Sequence, residues 1–303
     1  MIKLQQRLKF FFRYKIITSK LNYYLYTLII SSINFKILFK KIKYLTDQRK
    51  NKYKNYKDAI SLKNNGYASL TQGEFIDQAN SLASYLLEKS DKVALKNKNG
   101  EKAFDKIFQS EDMLSDEKVF NFITNDYLIS IIESYLKNKP QILHSQVWYS
   151  YNDKNLNNTS QEFHLDYEDR KQIKLFLFLN NINRDNGPLI TMNKKQSEQI
   201  IKKNNYKLSY KSSSRISDEL VDKKNANYLT GKKGSVFLID TSSVFHCGSR
   251  KGLDVRKVLV VQYVSPYFTT ENKDINKKEL LLPLLKKYKD FQSKRYLFDG
   301  IFS

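Results

Sequence analysis

The chain has 303 residues and a hydrophobic fraction of 41%, which is enough for one large domain or one domain with an appendage. Its mean hydropathy of −0.58 argues against a polytopic membrane protein. The single cysteine, Cys247, excludes an intrachain disulfide and suits a reducing, cytoplasmic location. The formal net charge of +22 comes from dispersed lysines rather than from an Arg-rich motif, so dedicated nucleic-acid binding is not expected.

The N-terminal segment is basic and rich in apolar residues. Residues 1–46 contain no acidic residue and ten basic ones. The run between Lys20 and Lys36 is shorter than the roughly 20 apolar residues of a membrane span. The segment therefore predicts a basic amphipathic helix or helix pair, which either lies peripherally on an anionic membrane surface or packs on the protein's own core. With the charged connector that follows, residues 1–60 are predicted to be an extension and linker, and 61–303 the main domain.

Helical patterns begin and end the main domain. Apolar residues recur at spacings of three and four in two segments and return in the C-terminal tail, where Pro283 interrupts them. The predicted helices are 71–90, starting at Thr71, 116–139, stopping before Pro140, and 276–291.

After Pro140 the pattern changes to β-branched and aromatic runs, which predict strands at 142–151, 173–180, 234–240 and 256–264. No long helical pattern separates the last two runs, so parallel winding is not favoured. The fold class predicted is α+β with a mainly β core at about 140–267. This core would be an antiparallel double-stranded β-helix (jelly roll), flanked by N- and C-terminal helices.

The stretch QEFHLDYEDR at 161–170 contains one of three histidines in the chain. In an extended strand, His164 and Asp166 point to the same side and could hold one metal ion between them. A His-x-Asp pair alone is weak evidence for a metal site, since such a pair can equally be a hydrogen-bonded pair on the surface.

A third ligand is offered by His246, which follows the buried-looking strand GSVFLID and is predicted to lie in a glycine-containing turn. Two imidazoles and one carboxylate on one face of an octahedral ion leave three positions open, as in the facial triad of non-haem Fe(II) oxygenases. A structural zinc site would need four protein ligands, usually with cysteine, and Cys247 would point the other way in a strand.

Arg256 begins the apolar strand KVLVVQYV, ten residues after His246. A guanidinium that enters the barrel there needs a carboxylate partner. That partner could be a dicarboxylate co-substrate bound through a bidentate contact, or a nearby acid such as Asp254.

These landmarks occur in a specific order: HLD at 164–166, NRDNGPL at 183–189, GSVFLID at 234–240, HCG at 246–248, then Arg256. The order resembles the phytanoyl-CoA dioxygenase-like family of Fe(II)/2-oxoglutarate-dependent oxygenases. The resemblance covers about 140–267 well, the helices from about 65 weakly, and residues 1–60 not at all.

The resemblance implies that His164, Asp166 and His246 bind Fe(II). It also implies that Arg256 binds the distal carboxylate of 2-oxoglutarate, with Arg250 as a rival because the turn after His246 departs from the family pattern. Gln146 resembles a first-strand residue that faces co-substrate or substrate, and Ser150 lies on the same strand face. Both could equally belong to an ordinary sheet face.

The implied function is a dioxygenase that uses dioxygen and 2-oxoglutarate to hydroxylate a small-molecule or lipid-like substrate, releasing succinate. Two alternatives come from other classes of protein. One is a catalytically inactive jelly roll that acts as a binding module. The other is a basic peripheral membrane-binding protein.

Overall fold

The computed structural model describes residues 20–33, 35–46, 57–94, 104–151, 161–166, 168–206, 215–248, 254–267, 282–283 and 285–299. The α-helices are α1 Lys20–Ile33, α2 Phe35–Thr46, α3 Lys57–Asn65, α4 Gly73–Ala94, α5 Ser110–Leu114, α6 Glu117–Ile123, α7 Asp126–Leu136, α8 Lys194–Lys203 and α9 Phe291–Lys294. The strands are β1 Tyr67–Ser69, β2 Phe104–Phe108, β3 Gln141–Ser150, β4 Gln172–Phe178, β5 Leu189–Thr191, β6 Asn227–Leu229, β7 Val236–Ile239, β8 His246–Gly248 and β9 Arg256–Val264. Short 3₁₀ turns lie at Asp218–Leu220, Lys223–Asn225 and Arg295–Phe298.

The strands form two antiparallel sheets, so the protein is α+β, as predicted. The larger sheet has the order β1-β7-β4-β9-β3-β2 and the smaller one has the order β6-β5-β8. Single bridges from His164 to His246 and from Phe163 to Ile216 continue the pairing beyond β8. The segment that carries His164 therefore lies between β8 and the chain near residue 216.

Each sheet has one face toward the other sheet and one face covered by helices. Leu175 and Leu259 of the larger sheet pack with the helical core, whereas Phe176 and Val260 pack with Leu229 of the smaller sheet. This alternation follows from the period of two along a strand. On the smaller sheet, side chains such as Phe163, Ile190 and Cys247 face away from this interior and pack beside Ile200 of α8.

The predicted helices 71–90 and 116–139 are both found at the expected positions, but the second is divided into two helices. Helix α4 corresponds to the predicted 71–90, but the side chain of Gln72 caps it by accepting from Phe75 N at 2.8 Å. Thr71 instead donates its backbone N–H to Asp58 at 3.1 Å. The predicted helix 116–139 is divided into α6 and α7, because Asn125 starts a new helix by accepting from Tyr127 N at 2.9 Å.

The C-terminal helix prediction, 276–291, lies partly outside the described residues. Within the described part, Leu282, Pro283 and Leu285 are helical, turns and a bend occupy 286–290, and helix α9 begins at Phe291. The helix, which was predicted to be interrupted at Pro283, is instead broken at 286–290 in this part. Phe291 and Phe298 pack into the helical core with Phe120 and Leu285.

All four predicted strands are present as β3, β4, β7 and β9, and β9 has the predicted bounds. Five further strands and helices α3, α5 and α8 were not predicted. Strands of three residues, such as β5, β6 and β8, are too short to show a periodic pattern in the sequence.

The N-terminal helices α1 and α2 form the predicted helix pair. Tyr26 of α1 contacts the rest of the chain: it is buried, and its hydroxyl donates to the carbonyl oxygen of Tyr267 at 3.2 Å. Several large apolar side chains remain exposed, with Phe35 at 79% and Phe39 at 68%. Among the helices described, none is both long and apolar enough to cross a membrane. The domain boundary near residue 60, which helix α3 crosses, stays a prediction.

Candidate metal centre

Three side chains predicted as metal ligands converge between the two sheets. His164 and Asp166 lie on the segment that bridges β8, and His246 begins β8. One ligand atom from each of the three lies within 4.8 Å of the other two. Asp166 Oδ1 is 3.7 Å from His164 Nε2, and Asp166 Oδ2 is 3.7 Å from His246 Nε2. The cluster therefore has one carboxylate facing two imidazoles.

Backbone pairing brings the two histidines together. The N–H of each residue donates to the carbonyl oxygen of the other at 3.1 Å. Directly paired residues on antiparallel strands point to the same face, and the two imidazole centroids are 4.4 Å apart. The prediction that His246 lies in a turn was wrong: it is on a strand, which fixes its direction. Cys247 consequently points to the opposite face and is buried there, as predicted.

Both imidazoles are oriented for binding through Nε2. His164 Nδ1 donates to Glu162 O at 2.7 Å and His246 Nδ1 donates to Val244 O at 3.2 Å. Because a carbonyl oxygen can only accept, Nδ1 carries the proton and Nε2 keeps its lone pair. Hydrogen bonds of this kind fix tautomer and ring orientation at metal sites.

Burial keeps the imidazoles neutral. It lowers the pKa of His164, and burial together with the neighbouring His164 lowers the pKa of His246 to about 3. Burial would raise the pKa of Asp166, but the ammonium of Lys174 and the two neighbouring histidines together outweigh this and hold the pKa below its ordinary value. Lys174 Nζ lies 2.7 Å from Asp166 Oδ2. The cluster thus presents two neutral nitrogen donors and one anionic oxygen donor at neutral pH.

The segment 240–245, between β7 and β8, positions His246 and Asp166. Asp166 N donates to Thr241 O at 2.8 Å, and Asp240 N donates to Gly66 O at 2.7 Å. Gly66 has a φ of 82°, and a Cβ there would lie 2.4 Å from the Val244 side chain. Only glycine allows both this conformation and this approach.

Arg256 lies at the start of β9 on the interior face of the larger sheet, opposite Ser150. One terminal nitrogen donates to Ser150 Oγ at 3.1 Å. The other two guanidinium nitrogens, Nε and Nη1, are buried and have no hydrogen-bond partner among the described residues. Burial lowers the pKa of Arg256 to about 10, so it stays charged at neutral pH. Asp254, the alternative partner, accepts instead from Asn186 at 3.1 Å.

Gln146 and Ser150 share that interior face, as the alternation along β3 predicts. Gln146 accepts from Trp148 Nε1 at 3.0 Å and donates to Gln109 Oε1 at 2.9 Å. Trp148 is the single tryptophan of the chain. Its indole is therefore a specific fluorescent reporter of events near Gln146. Arg250 lies outside the described residues.

Two basic residues near the cluster were not singled out from the sequence. Lys174 had a usable signal, since it is a lone lysine in the otherwise apolar run IKLFLFL. A charged side chain in such a strand usually has a specific partner. Arg215, in the polar stretch SSSRIS, had no comparable signal, because its position depends on a tertiary pairing with the segment at 163.

No protein-family model and no curated protein matches the sequence. Among solved structures, the chain is similar to SnoN, a non-haem α-ketoglutarate-dependent epimerase from nogalamycin biosynthesis, at 10% identity and a TM-score of 0.47, covering 69% of this chain and 82% of that one. It is also similar to EctD from S. alaskensis, at 18% identity and a TM-score of 0.46, covering 70% and 78%. A third is AviO1 from Streptomyces viridochromogenes Tue57, at 12% identity and a TM-score of 0.43, covering 69% and 94%. SnoN has also been solved with Fe³⁺, α-ketoglutarate and nogalamycin RO, and EctD with bound Fe.

Proposed function

We propose that the protein is an Fe(II)- and 2-oxoglutarate-dependent dioxygenase that hydroxylates a small-molecule or lipid-like substrate. The main support for the proposal is that His164, Asp166 and His246 lie close together between the two sheets. Bound Fe(II) would supply the activation of dioxygen that is coupled to the conversion of 2-oxoglutarate to succinate and CO₂.

The donor set fits Fe(II). Two imidazole nitrogens and one carboxylate oxygen are the ligands of the facial triad, and the imidazoles already have the required tautomer. The ion pair of Lys174 with Asp166 favours the ionised carboxylate, which is the form that binds a metal. A structural zinc site fits less well, because the one cysteine faces away from the cluster.

Arg256 fits the distal carboxylate of 2-oxoglutarate. Two of its nitrogens, Nε and Nη1, are buried without a hydrogen-bond partner among the described residues, and a buried guanidinium with unmet donors is costly unless an anion completes it. A carboxylate would meet one of these two nitrogens in a bidentate contact that also uses the second hydrogen of Nη2. In this proposal Ser150 holds the guanidinium from its other side, and Gln146 faces the co-substrate or the substrate.

The double-stranded β-helix forms part of the same proposal. Its larger sheet would contain β7, β4, β9 and β3, and its smaller sheet would add the His164 segment to β6, β5 and β8. The bridge between His164 and His246 supports this closure of the smaller sheet. The arrangement would hold the ligands on rigid elements and exclude water from the space between the sheets.

The test is a succinate assay. Purified protein supplied with Fe(II), 2-oxoglutarate and air should release succinate faster when a panel of metabolites includes its substrate. A protein that binds neither Fe(II) nor 2-oxoglutarate would contradict the proposal and favour an inactive binding module.

For the N-terminal helices we propose contact with an anionic membrane surface. The supporting observation is the exposed apolar face of α2, formed by Phe35, Phe39, Ile42 and Leu45 between lysines. An apolar face flanked by basic residues is typical of helices that lie in a bilayer interface.

A further inference from the structure

A second arginine with unmet donors lies beside the candidate metal ligands. Ile216 N donates to Phe163 O at 3.0 Å, and the two residues form an antiparallel bridge. This register sets Arg215 opposite His164. Residues opposite each other on antiparallel chains point to the same face. Arg215 therefore flanks His164 on one side, as His246 does on the other.

The guanidinium of Arg215 is close enough to act on the cluster. Burial is the main cause of the lowered pKa of His164, and the positive charge of Arg215 contributes in the same direction. Arg215 is thus part of the electrostatic environment of the candidate site rather than of the solvated surface.

Arg215 has no anionic partner among the described residues. Its Nε and Nη1 atoms are buried and have no hydrogen-bond partner within the described part of the chain. An arginine with a structural role would be expected to form an ion pair or several hydrogen bonds, because a buried, unpaired guanidinium is destabilising. Each of the two unmet nitrogens, Nε and Nη1, can form a fork with Nη2 that matches the spacing of two oxygens on one carboxylate or phosphate.

The proposed co-substrate does not account for this residue. One carboxylate of 2-oxoglutarate would bind at the metal and the other at Arg256, which belongs to the larger sheet. Arg215 lies beside the smaller sheet, on the other side of His164 from His246. With Asp166 already paired with Lys174, a net positive charge remains when metal and co-substrate are both present.

We propose that Arg215 binds an anionic group of the primary substrate, either a carboxylate or a phosphate, and so restricts the substrate class to oxyanions. This inference rests on the proposed oxygenase function. Arg215 would hold the anionic end of the substrate while another part of the molecule lies over the open coordination face. Neutral analogues of the substrate would lack this contact.

The experiment uses small probes on the full chain, kept anaerobic and saturated with Fe(II) and 2-oxoglutarate. Fe(II) and 2-oxoglutarate binding are measured first. Inorganic phosphate, acetate and the neutral acetamide are then titrated by calorimetry, with Trp148 fluorescence as a second signal. Wild type should bind phosphate or acetate, and acetamide should not bind. The tighter of the two anions identifies a phosphate or a carboxylate as the natural group.

Arg215→Gln removes the charge and should weaken anion binding by about tenfold or more, with 2-oxoglutarate affinity unchanged. Arg215→Lys keeps the charge but loses the planar fork, so its anion affinity should lie between those of wild type and Arg215→Gln. This second variant provides the test if Arg215→Gln does not fold. Arg184→Gln is the matched control: Arg184 is exposed and stacks on Tyr228, so its loss should change neither affinity.

Three results would overturn the inference. Wild type could bind Fe(II) and 2-oxoglutarate but no probe anion, which would leave the oxygenase function intact. Both Arg215 variants could bind the anions as wild type does. The variants could instead lose 2-oxoglutarate, which would make Arg215 the co-substrate anchor. Failure of wild type to bind Fe(II) or 2-oxoglutarate would contradict the proposed function itself, and it is detected before any anion is added.

Discussion

His164 and His246 are direct cross-strand partners, joined by two backbone hydrogen bonds of 3.1 Å. The backbone therefore sets the distance between their imidazoles, and removal of either side chain leaves both of these bonds in place. Alanine variants at these positions consequently test the ligand role with little change in the pairing itself.

We expect His164→Ala and His246→Ala to lose Fe(II) binding and succinate release together, because each removes one of three protein ligands. Anaerobic equilibrium dialysis with iron quantification measures occupancy, and a succinate assay measures turnover. The matched control is His144→Ala. His144 is the third histidine and lies on β3 outside the ligand cluster, so this variant should keep its iron. Wild-type iron occupancy in either ligand variant would show that the triad is misassigned.

Arg256→Lys should bind 2-oxoglutarate more weakly while keeping Fe(II). Lysine keeps the charge but loses the planar fork, and loss of a charge-assisted contact costs about 1.5–3 kcal/mol, or roughly ten- to hundredfold in affinity. Anaerobic titration of 2-oxoglutarate into the Fe(II)-loaded variant measures the change.

Two comparisons make the Arg256 result specific. Arg184→Lys, at an exposed arginine, should leave 2-oxoglutarate affinity unchanged. If Arg250→Lys weakens binding and Arg256→Lys does not, the anchor is Arg250 and the register of the turn after His246 differs from the proposal.

The buried carboxyl group of Asp169 should make the free energy of unfolding decrease as pH rises. Its carboxyl is fully buried, and burial raises its pKa to about 7. Between the unfolded value near 4 and this folded value, the folded protein holds a proton that the unfolded chain has lost. The free energy of unfolding therefore decreases through this window, by up to about 4 kcal/mol from this group.

Asp169→Asn removes the titration, so relative to wild type the variant should gain stability as pH rises from about 4 to about 8. Denaturant unfolding at several pH values measures this difference. Asp185→Asn replaces an exposed carboxylate. Its free energy of unfolding should change with pH in the same way as that of wild type. A difference between Asp169→Asn and wild type that is independent of pH would contradict the assignment.

The helix α2 surface predicts salt-sensitive binding to anionic vesicles, since each basic residue near an anionic leaflet contributes about 1 kcal/mol and salt screens this attraction. Phe39→Ser should weaken vesicle sedimentation by removing an exposed apolar side chain. The control Ile60→Ser alters an exposed apolar residue on α3 and should have no effect. Equal sedimentation with neutral vesicles, or none with either kind, would refute membrane contact.

Much of the fold could be predicted from the sequence, because long strands with β-branched and aromatic residues carry a strong local signal. Strands β3, β4, β7 and β9 belong to this group. The short strands β5, β6 and β8 were missed because tertiary pairing, not local pattern, determines them. The division of the helix at Asn125 was missed for a different reason: a capping side chain overrode a continuous apolar period.

In the candidate site, too, the residues with a local sequence signal could be predicted, and those positioned by tertiary pairing could not. The spacing of His164 and Asp166 was readable as one face of an extended segment, and the order of the later landmarks indicated His246. The ion pair of Lys174 with Asp166 forms because β4 lies opposite the segment that contains His164 and Asp166. No local sequence pattern reveals this arrangement. Arg215 depends on the bridge between Phe163 and Ile216, which joins residues far apart in the chain.

We propose that His164, Asp166 and His246 bind Fe(II) with coordination positions left open for 2-oxoglutarate. The most direct measurement is anaerobic visible absorption during titration of one equivalent of Fe(II) and then 2-oxoglutarate. This proposal leads us to expect a metal-to-ligand charge-transfer band that appears only when both are present and saturates at one 2-oxoglutarate per iron. Iron binding with no such band, or a band that persists in Asp166→Ala and His246→Ala, would contradict it.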